Sequence, residues 1–128
     1  DFLYSMALTN RKAVADRVMT LNISEVLILG SGWEGSYSLE DSLAAGALAD
    51  YLINNYTSKI NIVNDELNAA LALWHYWKGD ILKCLKTSTH GKRLTRLGNY
   101  EDDFRCCSQL DYLNIVPTQV EKGVIRAS

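Results

Sequence analysis

The sequence predicts an α/β fold, with a βαβ unit on a parallel sheet followed by several helices. Three observations carry that expectation. Glu25 to Leu29 is a short aliphatic run bounded by "NIS" and by glycine, which suits a strand covered on both faces. Ahead of it, Asn10 to Leu21 has apolar residues at helical spacing and Phe2 to Ser5 reads as a short strand, so the three segments make one βαβ unit. From Ser38 onward, apolar positions recur in threes and fours, with capping residues and glycines between the runs.

Taken in order, Asn10 is placed to cap the first helix, whose Ala13, Val14, Val18 and Leu21, with the stem of Arg17, form one stripe. Ser38 followed by Asp41 resembles a capping box, so a second helix begins near Leu39. It is apolar nearly all round through Leu43, Ala44, Ala47, Leu48, Tyr51 and Leu52, which predicts burial, with Gly46 permitting close approach to a neighbour. "NDELNAALALWHYWKGD" is a cleaner amphipathic helix, with Leu67, Ala70, Leu71, Trp74 and Trp77 on one stripe and Gly79 at its end. Ile81 to Lys86 and about Thr89 to Leu97 predict two shorter helices, the latter stopped by Gly98. Asn99 is placed to cap another, containing "EDDFRCCSQL". The last segment, "NIVPTQVEKGVIRAS", holds the single proline, Pro117, and reads as extended, as an edge strand.

With 128 residues, 48% of them hydrophobic and 22% charged, the chain fits one α/β domain over residues 1–128. A domain of that size buries about two-thirds of its unfolded surface. A net charge of −2 offers no basic footprint, which argues against nucleic acid and anionic membrane as partners. No apolar run approaches the ~20 residues of a membrane span, and the N-terminus shows no export signal. Cys84, Cys106 and Cys107 are odd in number and lack zinc spacing, so they read as reduced thiols of a cytoplasmic protein. The start "DFLYSMAL" has no initiator Met and enters directly into a predicted strand, as if the sequence opened within a larger protein.

The loop "GSGWEGSYSLED" contains G-x-G-x-x-G as Gly30, Gly32 and Gly35. A dinucleotide site needs such glycines at the strand-to-helix turn and an acidic residue about 20 positions later. Here "SYS" separates Gly35 from the helix, Trp33 and Glu34 occupy positions that a pyrophosphate needs open, and the region near residue 50 is helical. The more general reading is favoured: a loop feeding a helix N-terminus presents backbone N–H groups and the positive dipole end to a phosphate or sulfonate. Hydroxyls of Ser31, Ser36 and Ser38 add donors. Glu34, Glu40 and Asp41 would repel that anion unless a cation lies between, which points to Mg²⁺. The alternative is that these carboxylates only complement the helix dipole. Glu40 and Asp41 are consecutive, hence about 100° apart, so one of them faces the site.

His90 in "TSTHGKRL" is a candidate general acid or phosphate contact, with an ordinary surface residue as the alternative. His75 reads as structural, and Lys92 and Arg93 as anion contacts or solvated charge. Asp102, Asp103 and Asp111 read as caps or ion-pair partners as readily as functional groups, and Cys107 has no local basic group to activate it.

In order, "GSGWEGSYSLEDSLAAGAL", "NDELNAALAL", "STHGKRLTRLG", "EDDFRCCSQLD", then "VP" and "KGVI", resemble the C-terminal part of the 2-phosphosulfolactate phosphatase family, in a form similar to cyanobacterial members. "NRKAVADRV" is similar to the family's N-x-x-A-V-A segment. The resemblance implies a three-layer α/β/α protein and a Mg²⁺-dependent phosphatase that converts 2-phosphosulfolactate to sulfolactate and phosphate in coenzyme M biosynthesis. The positions that match are Gly32, Gly35, Ser38, Leu39, Glu40, Asp41, His90, Gly91, Asp103, Cys107, Asp111 and Pro117.

The family's N-terminal part, with an Asp-containing strand running into R-A-T-T-T and a G-E-R segment, is absent from this chain. The N-terminal part of the same protein is therefore an expected partner, beside a small phosphorylated or sulfonated substrate; a homo-oligomer is compatible with this. The physical reading of roles makes His90 and Asp41 the catalytic candidates, Gly32, Trp33, Gly35, Ser36 and Ser38 the substrate contacts, and Glu34, Glu40 and Asp41 the Mg²⁺ ligands. A non-catalytic anion-binding or regulatory domain, or an inactive fragment, is the competing reading.

Overall fold

The computed structural model describes residues 2–56, 59–98 and 100–127. A 3-10 turn, Leu8–Asn10, leads into α1 (Arg11–Met19), followed by α2 (Leu39–Asn55), α3 (Asp65–Trp77), α4 (Ile81–Thr87), α5 (Thr89–Leu97) and α6 (Glu101–Cys107). A hairpin of β1 (Thr118–Glu121) and β2 (Val124–Arg126) follows.

The architecture corrects the expected fold class. Among the described residues the one sheet is two-stranded and antiparallel, and there is neither a βαβ unit nor a parallel sheet, so the chain is mainly helical rather than a three-layer α/β/α protein. The run Glu25 to Leu29 is not a strand, and Val26, Leu27 and Leu29 are exposed rather than covered on both faces. Residues 23–30 make no backbone hydrogen bond to any described residue. A strand exists only through its ladder to a neighbour, and an aliphatic run reports fitness for that role without supplying the neighbour. Phe2 to Ser5 is extended, but it aligns with the C-terminal hairpin: Tyr4 bridges Thr118 in antiparallel sense, and Ser5 N donates to Pro117 O at 2.9 Å.

The helical expectations fared better because their signals are local. Ser38 Oγ accepts from Asp41 N at 3.2 Å, and α2 starts at Leu39. Asn64 and Ser88 cap α3 and α5 in the same way, and Gly98 follows the end of α5. The α3 stripe faces α2, with Ala70 and Trp74 buried, and a Cβ on Gly46 would overlap the carbonyl oxygen of Ala70. Glycine is therefore what lets these two helices approach. Asn10 stands before α1 but makes no side-chain cap; its Oδ1 accepts from Ala7 N, and its Nδ2 donates to Ser5 O and Ile115 O. Tyr100 occupies the N-cap position of α6, and the expected cap Asn99 lies outside the described residues.

The expected single edge strand at the C-terminus is two strands. Glu121 pairs with Val124 across a two-residue turn whose Gly123 has φ 78°, a backbone conformation open to glycine.

The main core is formed by Leu8, Leu43, Ala47, Trp74, Ile81, Cys84, Leu85 and Phe104. Each fully buried Leu or Phe contributes about 1.5–3 kcal/mol. Two carboxylates tie the helices around this core. Asp16 on α1 accepts from the hydroxyls of Tyr51 and Tyr56 at 3.1 and 3.0 Å, and Asp50 on α2 accepts from Trp74 Nε1 and pairs with His75 Nε2, both at 2.9 Å. Burial pushes each carboxyl up, but the bonds from Lys12, Tyr56 and Tyr51 to Asp16, and from His75 and Trp74 to Asp50, outweigh it and leave both below the ordinary value of 3.8. A carboxylate held below its unfolded value contributes stability that is complete above that value and lost as pH falls through the folded one. The thermal midpoint should therefore drop between about pH 5 and pH 2, and by less in Asp16→Asn and Asp50→Asn than in wild type.

Candidate functional site

The starts of α2 and α5 and the body of α6 meet around a cavity of about 310 Å³. Glu40 and Asp41 reach it from the first turn of α2, His90 and Gly91 from the first turn of α5, and Asp103 and Cys107 from α6. Leu8, Leu85 and Phe104 form apolar wall. Each helix start carries orphan N–H groups and the positive end of a dipole, so two of them beside one cavity favour a bound anion. The Nδ1 atom of His90 is buried and has no hydrogen-bond partner among the described residues. A polar ring atom in that state costs free energy until something pairs with it.

The glycine loop lies beside this cavity and is folded on itself. Trp33 and Ser36 pair through both backbone bonds, at 3.2 and 2.8 Å, around a two-residue turn in which Glu34 and Gly35 have φ of 49° and 76°. Asp41 Oδ2 accepts from Gly32 N at 2.7 Å and from Ser31 Oγ at 3.3 Å, fastening the base of the loop to α2. The N–H groups of Gly32, Trp33 and Ser36 are thus engaged within the protein. Against the outer end of α5, the indole of Trp33 lies 5.0 Å from the His90 ring, and the Arg93 guanidinium carbon lies 5.0 Å from the same indole.

Of the candidate residues, the structure brings Glu40, Asp41 and His90 to one cavity and places Ser38 immediately beside them as the α2 cap. Trp33 reaches His90 without lining the cavity, while Gly32, Glu34, Gly35 and Ser36 belong to the neighbouring hairpin. Sequence reasoning left Asp103 open between a functional group and a cap or ion-pair partner, and assigned it no role; its place on the cavity wall comes from how α6 packs. Asp111 pairs with Arg11 instead. Cys84 is wholly buried, which with the negative charge of Glu40 pushes its thiol up to about 11. The thiol of Cys107, though the residue is exposed, is raised as well, by partial desolvation and by Cys106 and Asp103 nearby. Neither is a thiolate near neutral pH, so neither is a ready nucleophile.

As a test for Mg²⁺, Glu40, Asp41 and Asp103 are among the residues that line the cavity, and Asp41 spends one oxygen on the loop. No group of three or more His, Cys, Asp or Glu side chains among the described residues forms a metal cage. That donor set fits an ion held by one or two carboxylates with water and substrate oxygens completing it, the usual manner of Mg²⁺.

Fold and site together describe a mainly helical chain with a largely apolar cavity at two helix starts, lined also by Glu40, Asp41, Asp103 and His90. The chain belongs to the 2-phosphosulpholactate phosphatase family, which it matches over residues 2–122. It is 60% identical over 123 residues to a protein of Prochlorococcus marinus, covering 96% of this chain and 51% of the relative. It is 56% identical over 126 residues to one of Synechococcus sp., covering 98% and 52%. To one of Gloeothece citriformis it is 44% identical over 125 residues, covering 98% and 51%. All three are named "Probable 2-phosphosulfolactate phosphatase". The chain spans about half the length of these curated relatives. Among the described residues no helix is long and apolar enough to cross a membrane.

Proposed function

We propose that, in the whole protein, this chain forms one wall of a Mg²⁺-dependent cytoplasmic phosphatase that hydrolyses 2-phosphosulfolactate, or a related phosphorylated hydroxy acid, to the hydroxy acid and inorganic phosphate. The observation that supports the reading is the convergence of Glu40, Asp41, Asp103 and His90 on one cavity beside two helix starts. Family membership supports the reaction class.

The phosphate meets the N–H groups at the starts of α2 and α5 beyond those of Asp41 and Gly91, which the cap serines take, and the N–H groups of Gly32, Trp33 and Ser36 in the glycine loop already have partners. Glu40 and the free oxygen of Asp41 would hold Mg²⁺, which when bound offsets phosphoryl charge. Asp103 takes a proton from the attacking water. His90 passes a proton from Nε2, the ring nitrogen other than the buried Nδ1, to the leaving oxygen as the phosphorus–oxygen bond to the hydroxy acid breaks. The water oxygen ends in inorganic phosphate.

The remaining half of the protein is the partner that completes the site. Its place is the groove of about 1100 Å³ between residues 2–6 and 21–31, where Leu27 and Leu29 are exposed and the backbone of 23–30 has no partner among the described residues. The test is phosphate release by the whole protein from 2-phosphosulfolactate and related phosphorylated hydroxy acids, with and without Mg²⁺. Mg²⁺-dependent turnover is expected; tight anion binding with no turnover on any of them would identify a binding domain instead.

A further inference from the structure

A histidine usually has its ring orientation and tautomer set by a hydrogen bond at the nitrogen that does not react. His90 lacks such an anchor at Nδ1 among the described residues. Its χ2 torsion is broad and roughly two-fold, so something else must hold the ring. The contact available is Trp33, with ring centroids 5.0 Å apart and planes inclined by 39°.

Trp33 is itself held from several sides. The Trp33–Ser36 hairpin constrains its backbone, and Asp41 ties the base of that hairpin to α2 through Gly32 N. Arg93 lies over the indole at 5.0 Å. His90 and Arg93 are three residues apart on α5, the spacing that puts two side chains on one helix face, so a single ring reaches both. The indole is 47% exposed and belongs to none of the core clusters, so core packing does not account for its position.

We infer that Trp33 is a positioning residue for His90: the indole, fixed by the hairpin and by Arg93, holds the imidazole in one orientation at the cavity wall. For its effect on turnover the inference rests on the proposed phosphatase reading; the contact itself is readable without substrate. The titratable groups that line the same cavity as His90 are Glu40 and Asp41 from α2 and Asp103 and Cys107 from α6, and Arg93 of α5 lies over the Trp33 indole.

In the whole protein, Trp33→Ala should lower kcat on the order of 10²-fold, the effect of misplacing a reacting group by about an ångström, with KM near wild type. Trp33→Phe keeps a ring against His90 and should recover most of that loss. Without substrate, the ring-proton resonances of His90 should carry the ring-current shift of the adjacent indole. That shift should be lost in Trp33→Ala and persist in reduced form in Trp33→Phe; the resonances are assigned to His90 by their disappearance in His90→Gln and survival in His75→Gln, whose ring shares Asp50 with Trp74. His90 resonances unmoved by Trp33→Ala, or wild-type kcat in an active Trp33→Ala enzyme, overturn the proposal. If the wild-type protein hydrolyses no phosphate ester, the phosphatase reading fails, and the ring-current shift alone decides whether Trp33 holds His90.

Discussion

His90→Ala in the whole protein should lower turnover of a phosphorylated hydroxy acid by about 10²–10⁴-fold, the range of a general acid in place. The reason lies in the leaving group. An alkoxide is a strong base, and its departure needs a proton, which under the proposed function comes from His90 at the cavity wall. The loss should therefore be much smaller for an aryl phosphate, whose phenolate leaves without help. Comparing kcat on the two ester types separates loss of a proton donor from general damage, and thermal unfolding of the variant should match wild type because His90 belongs to no core cluster. Equal losses on both esters, or wild-type rates on both, would remove His90 from the proton-donor role.

Arg11→Met should be the most destabilising of the substitutions considered, by about 3 kcal/mol, measured as a shift in the urea midpoint. Arg11 is buried, its Nε and Nη2 grip both oxygens of Asp111, and its guanidinium lies 5.1 Å from the Tyr51 ring and 5.7 Å from Trp74. Asp111 also accepts from Lys12 N at 2.7 Å, so this one carboxylate fastens residue 111 to the first turn of α1. Methionine keeps the apolar stem and abandons the carboxylate, and breaking a buried pair costs about 3–5 kcal/mol. The Asp111 side chain retains 21% of its exposure, which places the loss at the lower end. Adding Asp111→Asn removes the uncompensated charge and should recover part of the loss. Full additivity of the two changes would mean that the pair is not coupled.

The helical part of the chain was legible from single residues. Ser38, Asn64 and Ser88 marked helix starts, Gly98 marked an end, and Gly46 marked the place where α2 and α3 touch. Each of these acts within a few residues of itself, or through one missing Cβ. The candidate site was half legible. Glu40, Asp41 and His90 do share a cavity, but Glu34 belongs to a hairpin whose fold follows from backbone dihedrals rather than from its carboxylate. The double use of Asp41, as a helix-start residue and as the tether of Gly32, has no signature in spacing. Asp103 and Arg11 were underread for a related reason: a charge in sequence is solvated by default, and only packing shows that it faces a cavity or a buried partner.

By itself, then, the sequence determined where most helices begin and end, which stripe of α3 is buried, and the family, because these depend on local capping, periodicity and ordered motifs. The tertiary structure alone decided that the aliphatic run at 25–29 is not a strand, that Phe2 to Ser5 lies against the C-terminal hairpin, and that three helices present their acids and one histidine to a common cavity. Those outcomes rest on contacts between residues up to about a hundred positions apart. Strand pairing and site assembly are properties of two partners at once, and one partner read alone shows only that it is suited to the contact.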